Sequence, residues 1–136
     1  MTTGKPNTRS LEFERELPHP PGRVWRALTQ PHLIGEWLMQ SDFTAEPGTQ
    51  FTMNAEWGEV RGEVLLVEPE RKLSYSWNGP GLESKVTWVL EPSGAGTLLR
   101  LEQTEIPAES KQAYHGARTG WPRFLDALER VLSSGA

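Results

Sequence analysis

The sequence predicts an α+β domain in which an antiparallel sheet packs against one long C-terminal helix. Three observations carry this. The stretches 10–17, 49–57, 58–69, 71–79, 84–92 and 97–106 show strand character, most of them with every second residue apolar. The links between the later ones are short and rich in Gly, Pro and Asn, which implies hairpins and a meander rather than crossovers. After residue 110 the apolar spacing changes from two to about 3.6.

The elements follow in order. Residues 1–9 are polar and are expected to form a flexible tail, with residues 10–134 as a single domain. "SLEFEREL" (10–17) alternates, with Leu11, Phe13, Arg15 and Leu17 on one face and Glu12, Glu14 and Glu16 on the other. "PHPPG" ends that strand because proline cannot donate to a ladder. A short helix is expected at 22–29, with Val24, Trp25 and Leu28 at helical spacing, and Pro31 opens a second one carrying Leu33, Ile34, Trp37 and Leu38. In the strands that follow, one face holds Phe51, Met53, Ala55 and Trp57. The next sets are Leu73, Tyr75 and Trp77, then Val86, Trp88 and Leu90, then Leu99, Leu101 and Gln103.

The last element carries an oddity. "GARTGWPRFLDALERVL" (116–132) is an amphipathic helix with Gly116, Gly120 and Pro122 in its first half, all poor residues for a helix interior. At 100° per residue, Ala113, Ala117, Trp121, Phe124, Leu128, Val131 and Leu132 share a face, and Gly116, Gly120 and Ala127 make a small-residue edge beside it. Pro122 cannot donate to the carbonyl of Arg118, so a continuous helix over 110–132, bent near Gly120–Pro122, is expected. The glycines are expected to let backbone approach along the small edge. The competing reading is a break, with Thr119 capping a new helix.

Composition bounds the function. The chain of 136 residues has a net charge of −4 with both signs interspersed and no basic stripe, so nucleic acid is an unexpected partner. No run is long and apolar enough for a membrane span, and no signal-peptide pattern opens the chain, which favours a cytoplasmic protein with no membrane partner. There is no cysteine, which removes disulfides, thiol catalysis and thiolate metal sites. His19, His32 and His115 have no ligand spacing, so no metal and no cofactor are expected. No nucleophile elbow or catalytic constellation is present, which weighs against an enzyme. The six tryptophans (25, 37, 57, 77, 88, 121) read either as a core rich in large rings or as walls of a cavity.

The stretches "PPGRVWRALTQPHLIGEWL", "GEVRGEVLLVEPERKLSYSW", "GTLLRLEQTEI" and "GWPRFLDALERVL" together resemble the activator of heat-shock-protein-90 ATPase homologue-like family, within the START-like (SRPBCC) superfamily. The resemblance spans about residues 10 to 133, nearly the whole chain. It implies a helix-grip fold, in which a bent antiparallel sheet grips the long C-terminal helix and leaves a cavity between them. It also implies a small apolar or aromatic ligand there, with cofactor-free chemistry left open. The candidate wall is Trp37, Phe51, Met53, Trp57, Tyr75, Trp77, Trp88, Gln103, Trp121 and Phe124. The alternative that the family name implies is a protein-interaction module acting on a chaperone in the stress response. Against it, the eukaryotic co-chaperones carry a further domain. A monomer and a homodimer both fit.

Overall fold

A computed structural model describes residues 8–55, 58–79 and 82–134. The element order is β1 (Thr8–Leu17), α1 (Pro21–Thr29), α2 (Pro31–Trp37), β2 (Gln40–Ser41), β3 (Gln50–Ala55), β4 (Gly58–Glu68), β5 (Lys72–Gly79), β6 (Leu82–Ser93), β7 (Gly96–Pro107) and α3 (Lys111–Ser133). All seven strands form one antiparallel sheet in the order β1-β7-β6-β5-β4-β3-β2. The meander runs from β2 to β7, and β1 closes the far side against β7. With α3 over the sheet, this is the expected helix-grip architecture. β1 begins at Thr8, within the stretch expected to be a tail, and residues 1–7 lie outside the described residues.

Local chemistry sets the boundaries. Pro31 disfavours a helical conformation at Gln30, which sits at ψ 121° and separates α1 from α2. The Gln30 carbonyl then accepts from the N–H groups of Leu33 and Ile34, so one residue ends the first helix and starts the second. The sequence pattern gave no sign of β2, which is only two residues long. Beyond Ser41 side chains take over the pairing with β3, with Ser41 Oγ donating to the Thr52 carbonyl and Asp42 Oδ1 accepting from the Thr52 N–H. Between β4 and β5, Glu70 has φ 63° in a turn closed by Arg71 N–H to the Glu68 carbonyl.

The sheet's inner face follows the period-two reading closely. Val60 and Val64 of β4, Leu73, Tyr75 and Trp77 of β5, Val86, Trp88 and Leu90 of β6, and Leu99, Leu101 and Gln103 of β7 are all buried. Gly62 is the exception by necessity. A Cβ there would fall 2.5 Å from Phe51 Cζ and 2.1 Å from the Ser76 carbonyl oxygen, so the Phe51 ring lies where a side chain would be.

Helix α3 is continuous, as expected, and its buried residues are Trp121, Leu125, Leu128, Val131 and Leu132. Leu125 is buried although the expected apolar face does not include it; it lies within about 40° of Trp121, and Phe124 of that face is only partly buried. The small-residue edge needs a larger correction. A Cβ on Gly116 would meet nothing within 4 Å, and one on Gly120 would meet only Phe124 Cε2, at 4.0 Å. No other element's backbone comes close there, so the glycines are not spacers.

Candidate functional site

At Trp121 and Phe124 helix α3 meets a chain of rings. Trp121 meets Trp77 with ring centroids 5.1 Å apart, Trp88 at 5.8 Å and Phe124 at 5.7 Å. Trp88 in turn meets Trp37 edge-on at 5.7 Å, and Trp77 stacks on Tyr75 at 6.4 Å. Beyond Tyr75 the chain continues through Phe51 at 5.1 Å and Phe43 at 5.6 Å. Rings at these spacings are in contact, so no ligand-sized space separates Trp121 from Trp77 and Trp88.

A buried polar relay crosses the rings. The Trp121 indole N–H donates to Gln103 Oε1 at 2.7 Å, Gln103 Nε2 donates to Ser84 Oγ at 2.9 Å, and Ser84 Oγ donates to the Trp77 carbonyl at 2.8 Å. A second link runs from the Trp88 indole N–H to the Tyr75 hydroxyl at 2.9 Å. Trp37 of α2 donates to the Ala27 carbonyl of α1 and ties the two helices together. Burial pushes the Tyr75 phenol above its ordinary pKa, opposed in part by the Trp88 hydrogen bond, so it stays protonated at any physiological pH.

Nine of the ten predicted wall residues can be placed. Trp77, Trp88, Gln103, Trp121 and Phe124 gather beneath α3. Phe51 and Tyr75 lie further along the sheet with Phe43, and Met53 is buried in the same core. Trp37 sits under α1 and α2 with its edge on Trp88. Trp57 lies outside the described residues. The sequence reading missed Ser84 and Phe43. Ser84 was legible, since it falls in the same period-two set as Val86 and Trp88. Phe43 was not, because "SDFTAEPG" has no periodicity to read.

The surface offers shallower features. One depression of about 650 Å³ lies against Pro21, Glu70, Arg71, Leu90 and Pro92. Two smaller ones share Arg26 and Gln30 on the helix pair. None of these takes a wall from the ten predicted residues. Among the described residues no group of three or more His, Asp or Glu could hold a metal ion, and no helix is long and apolar enough to cross a membrane.

With the fold and rings in place, the comparisons with known proteins are specific. The family described as "Activator of Hsp90 ATPase homolog 1-like protein" matches residues 18–133, so the chain belongs to that family. It is similar to the crystal structure of protein MLL2253 from Mesorhizobium loti, at 46% identity and TM-score 0.90, covering 94% of this chain and 99% of that one. CalU16 from Micromonospora echinospora is 31% identical with TM-score 0.80, over 93% of this chain and 77% of that one. DynU16, described as a putative protein in the dynemicin biosynthetic locus, is 25% identical with TM-score 0.83, over 93% of this chain and 48% of that one. No curated protein matches.

Proposed function

We propose that the chain binds a small, largely apolar aromatic molecule between the first half of α3 and the sheet. One observation carries this reading. The richest aromatic cluster among the described residues meets α3 at Trp121 and Phe124, and the half-helix that leads up to it, Lys111–Gly120, buries none of its own side chains fully. A half-helix with so little anchorage can lift at a small cost in free energy, and it borders an apolar ring cluster that holds one carboxamide, Gln103. Such clusters with few polar groups are the usual composition of ligand sites. The similarity to DynU16, described as a putative protein in a biosynthetic locus, supports a small biosynthetic molecule as the class of ligand. In this reading the protein works in the cytoplasm without cofactor or metal and holds its ligand without catalysing a reaction on it.

The test is direct. Saturable quenching or shift of tryptophan emission by a neutral bicyclic hydrocarbon such as tetralin, together with slowed amide exchange in residues 111–120, is the expected result. No saturable response to tetralin or its ketone analogue would refute the reading. The interaction-module alternative needs an exposed apolar patch. Among the described residues Leu65 is the one exposed large hydrophobic side chain, at 46%, which gives that reading no support.

A further inference from the structure

Tyr75 carries a proton that no described group accepts. Its side chain is only 2% exposed, and its oxygen accepts the Trp88 indole N–H. An indole nitrogen donates and never accepts, so that bond uses a lone pair of the phenol and leaves the O–H over. The nearest rings, Phe43, Phe51 and Trp77, have no acceptor oxygen to offer it. The other buried polar groups here are matched: Trp37, Trp88 and Trp121 donate to the Ala27 carbonyl, Tyr75 and Gln103, and Gln103 and Ser84 pass the chain on to the Trp77 carbonyl. An unmatched buried donor is costly and uncommon, and calls for a specific reason.

We infer that the Tyr75 hydroxyl is the specificity-determining contact of the interior site, donating its free proton to the carbonyl oxygen of a flat, neutral aromatic ketone or quinone. This rests on the ligand-binding reading above. Aromatic character follows from the surroundings, since the rings of Phe43, Phe51 and Trp77 all lie against Tyr75. Neutrality follows from the absence of any charged residue among the buried polar side chains of the described residues, which are Thr29, Ser74, Ser84, Thr97 and Gln103. A carboxylate would lose its hydration there with no cation to replace it. A carbonyl supplies the missing acceptor and adds no proton that needs a partner of its own.

The experiment compares 1-tetralone with tetralin, which differ by one carbonyl, in wild type, Tyr75→Phe and Trp88→Phe, by calorimetry and tryptophan emission. Tyr75→Phe should weaken tetralone about tenfold, the worth of one neutral hydrogen bond, and leave tetralin within about twofold. Trp88→Phe removes the donor to Tyr75 but keeps the phenolic proton, so the fall in tetralone affinity relative to tetralin should be absent there. Equal changes for both probes in Tyr75→Phe, or none, would overturn the inference while leaving ligand binding intact; that is also the result if the proton is satisfied by a buried water. Failure of both probes to bind wild type would overturn the inference together with the reading it rests on.

Discussion

The two halves of α3 have the same geometry and opposite fates. From Trp121 onward the helix buries five side chains, and its outer edge is fastened by Arg15 of β1, whose guanidinium reaches Asp126 at 2.8 Å and Glu129 at 2.6 Å. Arg23 of α1 donates to the Leu132 carbonyl at the helix's end, where a cation suits the dipole. From Lys111 to Gly120 the helix buries nothing fully; the partial contacts are Ala113, Tyr114 and Ala117, with the Arg9 guanidinium 5.1 Å from the Tyr114 ring centre. Thr119 Oγ1 leans back on the carbonyls of His115 and Gly116, a contact that weakens and bends helices. Pro122 removes the next ladder bond, and Arg15 Nη2 holds the Pro122 carbonyl at 3.4 Å, so the anchoring begins where the ladder is interrupted. Of the residues that would be faults in a structural helix, Gly116, Thr119 and Gly120 thus fall in the half that packs least, and Pro122 lies just past its boundary. A helix can hold a core at one end and cover a site at the other.

The largest expected effect lies in the anchored half. Leu128 is fully buried, and Leu128→Ala should cost about 3 kcal/mol in urea unfolding, from lost transfer energy and the cavity left behind. Ala117→Gly in the covering half should cost no more than about 1 kcal/mol, the propensity difference alone. Comparable losses at the two positions would erase the distinction between the halves.

Trp121 sits at the boundary and sharpens it. Its indole is 2% exposed and has rings on three sides, so it counts with the anchor. Trp121→Phe keeps most of the ring contact but leaves Gln103 Oε1 buried without a donor, and should cost about 2 kcal/mol by chemical unfolding. Adding Gln103→Leu should recover part of that loss, because the orphaned oxygen goes too. If the double variant is less stable than Trp121→Phe alone, the relay contributes more than its first bond.

Much of this was legible in the sequence, and the boundary of legibility is physical. Alternation fixed which strand residues face inward, because a half-buried strand must obey it, and the Gly-Pro anomaly in 116–122 located the unusual part of α3 before any packing was known. Illegible were the features set by tertiary contact alone. Periodicity places Gln103 and Trp121 inside but does not say that one accepts from the other, and it cannot show that Tyr75 keeps a proton to spare. It also cannot distinguish a glycine that makes room for a neighbour from one that makes room for nothing. Gly62 and Gly116 look alike in sequence; Phe51 lies against the first, and open space against the second.

The third expectation concerns the fastening. Arg15 is partly exposed and both its partners are more so, so Arg15→Gln should cost no more than about 1 kcal/mol, and less in high salt. The hydrogen bond to Asp126 is the first cause raising the guanidinium pKa above its ordinary value. A raised arginine keeps its contribution at every pH below that ordinary value and loses it only as pH climbs through the folded one, so the loss in Arg15→Gln should be flat from about pH 6 to 9 as far as the arginine's own titration is concerned. The more informative readout is amide exchange. Exchange should quicken around residues 122–129, whereas that of 111–120, which Arg15 does not touch, should hardly change.

The smallest effect on stability is the most telling for function. Gly116 is exposed on the covering half, and a methyl group added there meets nothing within 4 Å. Its φ is not in the left-handed region, so alanine fits the backbone without strain. Gly116→Ala should therefore stabilise the protein by about 0.5–1 kcal/mol, from helix propensity and the loss of unfolded-state freedom. Gly62→Ala is the contrasting control, because its methyl would collide with the Phe51 ring and the Ser76 carbonyl oxygen, and it should destabilise. If Gly116 keeps the covering half easy to lift, Gly116→Ala should also slow amide exchange in residues 111–120 and slow the association of tetralin, while leaving exchange in 123–133 as it was. Stabilisation with unchanged association would mean that the ligand enters without lifting this half, and the glycine would then have no role in entry. Destabilisation would mean that Gly116 packs against something, and the contrast between the two halves of α3 would fall with it.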